Sequence, residues 1–317
     1  MVGSMIKKPK IALIGAGNIG GTLAYLITLK SLGDIVLLDV TEGVAKGKAL
    51  DLAQSAAVMG LSATLKGTSD YKDIADADVV IVTAGIARKP NMTRDDIALI
   101  NADIIKQVAH GIKTYANNAF VIVITNPLDV MTYLMLKESD LDPRMVVGMS
   151  GVLDSSRFRH FLAEEFKISV ESVSAFVLGM HNDDMLPISR YSTVSGVSIP
   201  DLIEMGLCTQ DKIDAIVHRT KTGGAEIVSL LQTGSAYYAP ATAAIEIAES
   251  YIKNQHKVLL CSVYLTGEYG INDACVGVPT VIGSNGVEKI IEVKLDLSET
   301  KALKQSVDKV KGMLSRL

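Results

Sequence analysis

Cysteine is nearly absent from this chain. The three that occur, Cys208, Cys261 and Cys275, are odd in number, have no C-x-x-C spacing and stand among apolar residues. That argues against a disulfide framework and for buried free thiols in a reducing cytosol. Long apolar runs are missing too. None approaches the roughly 20 residues that a membrane helix needs, and the first, "IALIG", runs into a glycine loop where a signal peptide would have its cleavage site. A cytoplasmic protein with no membrane partner is the expectation. Clustered positive charge is a third absence: Lys and Arg are dispersed and the formal net charge is -4, so nucleic acid is not expected as a partner. Internal repeats and low-complexity linkers are lacking as well. The opening "MVGSM" leaves open a native start at Met5, residues 1–4 then being a remnant.

What is present suits a packed interior. Hydrophobic residues make up 48% and charged ones 21% of 317 residues, enough for two domains or one large α/β domain. In the first half, short apolar runs alternate with longer amphipathic stretches: "KIALIG", 18–31, "DIVLLD", Glu42 to about Met59, "DVVIVTA", 95–115, "AFVIVIT", a helix opening at Pro127, and "MVVGM". Val- and Ile-rich runs without polar alternation are what strands covered on both faces look like. The fold class is therefore α/β, with an N-terminal doubly wound parallel sheet of the Rossmann kind over residues 6–148. Past about Met149 the segments change. Helices at 155–166, 211–231 and 241–253 precede "KVLLCSVYL", "ACVGVPTVIG" and "GVEKIIEV", which read as an antiparallel meander closed by a helix over 299–316. This predicts an α+β domain over 149–317, packed tightly on the first.

"GAGNIG" supplies Gly15, Gly17 and Gly20 in the G-x-G-x-x-G pattern between a strand and a helix. Gly15 permits the tight turn, Gly17 the close approach of a pyrophosphate, and Gly20 close helix–strand packing. The helix N-terminus then faces the anion. Asp39 ends the second strand about 20 residues farther on, where a carboxylate accepts from ribose hydroxyls. The same charge repels a 2'-phosphate, so NAD is expected over NADP. Gly15, Ala16, Gly17, Asn18, Ile19, Gly20 and Asp39 are the cofactor-binding candidates on the first half of the sheet. Loops after "VIVTA" and "VIVIT" should line the same cofactor, with Asn126 of "TNPLD" beside the nicotinamide end.

Of five histidines, His181 alone sits at a strand exit, in the polar turn "GMHNDDMLP" after "SVSAFVLG". "GVLDSSRFR" places Asp154 and Arg157 at i and i+3 on the first turn of a helix, projecting to one side. A carboxylate on one ring nitrogen would set the tautomer and support imidazolium, leaving the other nitrogen to exchange a proton with a substrate oxygen. Arg157 could grip a substrate carboxylate with its planar fork. The loop "GIARKPNMTRDD" adds Arg88 and Arg94. Alone, such charges read as solvated loop residues.

"GAGNIG", "GIARKPNMTRDD", "TNPLD", "GVLDSSRFR" and the His181 turn occur in the order and spacing of the lactate/malate dehydrogenases, and most of the chain resembles that family, in particular malate dehydrogenases of the lactate-dehydrogenase-like kind. The resemblance implies that His181 is the proton donor and acceptor with Asp154 as its partner, that Arg157 clamps the C1 carboxylate, and that Arg94 closes over the site and polarises the reacting carbonyl. It implies that Asn126 hydrogen-bonds the substrate oxygen and that Asn101, Ile124 and Thr125 meet the NAD cofactor; no metal is implied. Arg88 falls where malate dehydrogenases carry an arginine for the second carboxylate and lactate dehydrogenases usually carry glutamine. Two departures stand out: Asn182 and Asn91 replace family glycines, and asparagine tolerates left-handed backbone geometry better than most residues.

The implied activity is reversible NAD-dependent oxidation of (S)-malate to oxaloacetate, a tricarboxylic acid cycle reaction, in a homodimer or homotetramer. Within the same fold the alternative is L-lactate dehydrogenase. A non-enzymatic NAD-binding redox sensor is the reading from another class; it would use the glycine loop and Asp39 but would have no use for His181, Asp154 and three arginines.

Overall fold

A computed structural model describes residues 8–86 and 94–317, without the side chains of residues 94 and 95. Arg88, Asn91 and the Arg94 guanidinium, three sites singled out above, lie outside the described residues. The first half runs β1 (Lys10–Ile14), α1 (Asn18–Leu29), β2 (Asp34–Leu38), α2 (Glu42–Val58), β3 (Leu65–Thr68), β4 (Val79–Val82), α3 (Arg94–Tyr115), β5 (Phe120–Val123), α4 (Leu128–Ser139) and β6 (Val146–Gly148). After it come α5 (Gly151–Phe166), β7 (Val173–Ser174), β8 (Val177–Leu178), β9 (Leu186–Pro187), β10 (Thr193–Val194), β11 (Val197–Ser198), α6 (Ile199–Glu204), α7 (Gln210–Leu231), α8 (Tyr238–Ile252), β12 (Lys257–Thr266), β13 (Asn272–Gly283), β14 (Gly286–Ile290) and α9 (Leu297–Leu314).

The sheet order β3-β2-β1-β4-β5-β6, all parallel, is that of the doubly wound dinucleotide-binding sheet. Residues of β4, β5 and β6 are all buried, which explains the unbroken apolar runs: helices cover both faces. The order reverses between β1 and β4, so the loops at 15–17 and 83–86 open side by side at the carboxyl ends of the strands. Ligands bind at such a crevice.

Two features were not legible beforehand. β3 carries "LKGT", with only Thr68 buried. As a short edge strand it has neither an apolar run nor clean alternation, and Gly67 is needed because a Cβ there would sit 2.4 Å from the Ala45 backbone of α2. The antiparallel meander β12–β13–β14 also does not stand apart. It continues the parallel sheet beyond β6 through the Ser262–Gly148 pair, giving nine strands in one sheet. An open β6 edge would leave unpaired backbone groups, and β12 covers it. The larger apolar cluster accordingly runs from Ile11 to Val310 across both halves, with Phe120 of β5 stacked on Tyr251 of α8 at 4.5 Å. The predicted strand "SVSAFVLG" is reduced to β7 and β8, each two residues long. Cys208, Cys261 and Cys275 are free and buried.

Candidate active site

The three glycines of the loop have three different surroundings. Gly15 has φ +109° and a Cβ there would lie 2.5 Å from the Thr83 hydroxyl. A Cβ on Gly20 would come to 1.9 Å from the Gly15 carbonyl oxygen, which is how closely α1 packs on the turn. Around Gly17 there is open space. Gly20→Ala is expected to cost about 1–3 kcal/mol through this overpacking, measured as a lower denaturation midpoint.

Behind the loop stands Asp39. Its carboxylate accepts the Ala16 N–H at 2.7 Å and the Thr41 N–H at 2.9 Å, locking the end of β2 to the turn. Ala16 is itself fully buried, so of the loop residues Gly17 and Asn18 are the exposed ones and Ile19 is half-buried. The first turn of α1 has no side-chain cap and no acidic residue. Its free N–H groups and the open space at Gly17 fit a dinucleotide diphosphate.

The loops after β4 and β5 are stitched together by Asn101 of α3. Its amide oxygen accepts the Ile86 N–H at 2.8 Å, and its amide nitrogen donates to the Asn126 carbonyl at 2.7 Å. Asn101 is 1% exposed, so the side chain predicted to meet the cofactor is engaged in shaping the loops that would hold it. Ile124 and Thr125 are buried as well, and the Thr125 hydroxyl donates to the Ala84 carbonyl at 2.7 Å. What these two present to a ligand is backbone. Asn126 is exposed.

His181, Asp154 and Arg157 come together. Asp154, in the first turn of α5, accepts from Arg157 Nη1 through Oδ1 at 3.3 Å and pairs with His181 Nδ1 through Oδ2 at 2.7 Å. The carboxylate side chain is 2% exposed, while His181 and Arg157 keep 12% and 14%. The acid is thus interior, and its two partners retain some exposure. Burial disfavours the His181 cation, but the charge and hydrogen bond of Asp154 outweigh it, and the imidazole pKa is raised. Arg157 packs beneath α7, where Gly223 and Gly224 make room for it: a Cβ on Gly223 would meet Arg157 Cδ at 3.3 Å, and one on Gly224 would meet Nη2 at 3.6 Å.

The histidine turn is held by contacts that sequence reasoning missed. Gly179 and Gly277 exchange backbone hydrogen bonds at 2.9 and 3.1 Å, an approach so close that a Cβ on Gly277 would be 2.4 Å from the Gly179 oxygen. Asn182, standing for the family glycine, does not use left-handed geometry; its side chain accepts the Asp184 N–H at 2.7 Å, and Lys309 of α9 pairs with Asp184. Asp129 of α4 accepts the His181 N–H at 2.8 Å and the Ser262 hydroxyl at 2.7 Å. A lone acid within "LDVMTYLML" was the available signal, since buried carboxylates are rare unless they are held.

Residues 9–148 match the family model for the lactate/malate dehydrogenase NAD-binding domain, and residues 151–316 match the lactate/malate dehydrogenase alpha/beta C-terminal domain. The chain belongs to the lactate/malate dehydrogenase family. Its sequence and fold are similar to malate dehydrogenase from Cryptosporidium parvum, at 45% identity over 98% of this chain and 99% of that one with a TM-score of 0.95. They are equally similar to lactate dehydrogenase from Eimeria maxima solved with NADH and oxamate, at 44% identity over 100% and 96% with a TM-score of 0.95. Malate dehydrogenase from Picrophilus torridus matches at 44% identity over 97% and 96%, TM-score 0.92. As a member of this family the protein is an NAD-dependent oxidoreductase acting on a small-molecule substrate, with the Rossmann half as its NAD-binding domain. Among the described residues, no helix is long and apolar enough to cross a membrane.

Proposed function

We propose that this dehydrogenase is a malate dehydrogenase, interconverting (S)-malate and oxaloacetate as in the tricarboxylic acid cycle, in the cytoplasm and as a homodimer or homotetramer. The observation that carries the choice of substrate is Arg88, a cation where the resemblance calls for a partner to a second carboxylate. Relatives of both kinds match the chain equally well, so lactate remains the second reading.

In the proposed mechanism Arg157 holds the C1 carboxylate, Asn126 and Arg94 bind the reacting oxygen, and Arg88 meets the distal carboxylate. The nicotinamide, when bound, supplies or accepts the hydride. During reduction the substrate oxygen takes the proton from imidazolium His181, leaving a neutral ring. During oxidation the neutral ring removes the hydroxyl proton. Asp154 keeps its hydrogen bond to Nδ1 throughout, so the proton is exchanged at Nε2. Gly15, Ala16, Gly17, Asn18, Ile19 and Gly20 form the diphosphate cradle, Asp39 takes the ribose, and Asn101, Ile124 and Thr125 shape the nicotinamide end.

The direct test is NADH absorbance with oxaloacetate and, separately, pyruvate. Faster consumption with pyruvate would overturn the malate reading. Asp39→Ser is expected to raise kcat/KM with NADPH relative to NADH, because repulsion of a 2'-phosphate goes with the charge. Absolute NADH affinity should fall as well, because Asp39 also holds Ala16 and Thr41. An unchanged NADPH/NADH ratio would remove the role assigned to Asp39.

A further inference from the structure

Asp129 is 4% exposed in the first turn of a helix where Leu128, Val130, Met131 and Thr132 are buried too. A buried carboxylate is costly unless it is well held. Its two partners, the Ser262 hydroxyl and the His181 N–H, are neutral, and an asparagine could satisfy both. The negative charge is therefore more than the local hydrogen bonding needs. Burial pushes the Asp129 carboxyl up to about 6, against the pull of the Ser262 hydroxyl and the His181 N–H, so it is ionised at neutral pH.

That charge stands next to the residue proposed to carry the proton. From α5, Asp154 pairs with the ring and supports imidazolium while Arg157 opposes it; from α4, Asp129 adds a second negative charge. Cys275 of β13 also feels Asp129, but burial and that same charge hold its thiol well above the usual range, so it stays neutral. In the turn itself Asp184 is already paired with Lys309 of α9.

We propose that Asp129 is a positioning residue for proton transfer: it fixes the histidine turn through the His181 backbone N–H, and its charge, added to that of Asp154, favours imidazolium. This rests on the reading of His181 as the proton carrier. It assigns the acid of "TNPLD" a part in the reaction separate from that of Asn126 at the start of the same segment.

The test is Asp129→Asn, in which the amide oxygen can accept the His181 N–H and the amide nitrogen can donate to a rotated Ser262 hydroxyl. The His181 ring is followed by NMR titration, its signal assigned by its loss in His181→Ala. The titration is expected to move to lower pH, and oxaloacetate reduction above the wild-type inflection to fall about 10-fold, the effect of one pKa unit. The thermal midpoint at pH 7.5 should not fall. A carboxyl raised from 3.8 to about 6 on folding weakens the folded state increasingly as pH rises between those values, and the amide removes that penalty.

Ser262→Ala is the second variant. It takes away a hydrogen bond that keeps Asp129 ionised, so the His181 titration should move the same way by less. An unmoved titration in both variants, with His181→Ala inactive, overturns the inference alone. So does loss of activity together with a lower thermal midpoint in Asp129→Asn, the pattern of a purely structural acid. Near-wild-type turnover in His181→Ala overturns the underlying reading and the inference with it.

Discussion

His181→Ala is expected to lower turnover by about 10²- to 10⁴-fold, the usual contribution of a positioned acid or base, with NADH affinity largely kept. The imidazole is 12% exposed and its Nδ1 is committed to Asp154 at 2.7 Å, so one nitrogen remains for the substrate. The other histidines are placed differently: His110, His160 and His218 are exposed on α3, α5 and α7, and His256 pairs with Glu288. Stopped-flow turnover and NADH fluorescence titration check the two halves. Turnover near the wild-type rate would sink the assignment.

Asp154→Asn should be severe too, but with a different signature. Its carboxylate holds Arg157 as well as His181, so the amide should raise KM for the keto acid as well as lower kcat. The pH dependence has a definite sign. The His181 pKa is raised by Asp154 against burial, so oxaloacetate reduction, which needs imidazolium, should fall as pH rises through the raised folded value, while malate oxidation rises. Stability contributed by the pair is fully present below the ordinary imidazole pKa of about 6.5 and is lost across the same rise.

Arg88→Gln is expected to separate the two substrates. If Arg88 meets the distal carboxylate of oxaloacetate in a closed, dehydrated site, the glutamine strands that carboxylate, and truncating one side of such a pair costs about 2–5 kcal/mol. That is about 30-fold to several thousand-fold in kcat/KM. Pyruvate has only a methyl group there, against which the arginine would be buried unpaired, so kcat/KM for pyruvate should rise. Both keto acids are compared at saturating NADH, one pH and one salt concentration. Parallel losses on both would mean that Arg88 supports its loop, and the malate reading would lose its main support.

Local features were legible because they depend on local chemistry. Runs of Val, Ile and Leu marked β1, β2, β4, β5 and β6, since the buried positions of a strand covered on both faces are apolar. Gly15 and Gly20 were readable because a turn with φ +109° and a helix packed on its own loop admit no side chain. Asp154 and Arg157 could be paired from helical spacing alone. β3 could not be found, because an edge strand with one buried residue leaves little pattern, and Asp129 was passed over because its partners, Ser262 and the His181 N–H, are far along the chain.

The sequence by itself determined the α/β class, the glycine loop and the candidate residues, each carried by residue type and short-range spacing, and its ordered motifs carried the resemblance to the family. Only the tertiary structure decided that the meander extends the parallel sheet through Ser262 and Gly148, that Asn101 braces the loops after β4 and β5, and that Asp129 of α4 holds the His181 backbone N–H. These contacts join residues tens to more than a hundred positions apart, and no local periodicity encodes which of them will meet. The packing of whole elements against a common core determines it.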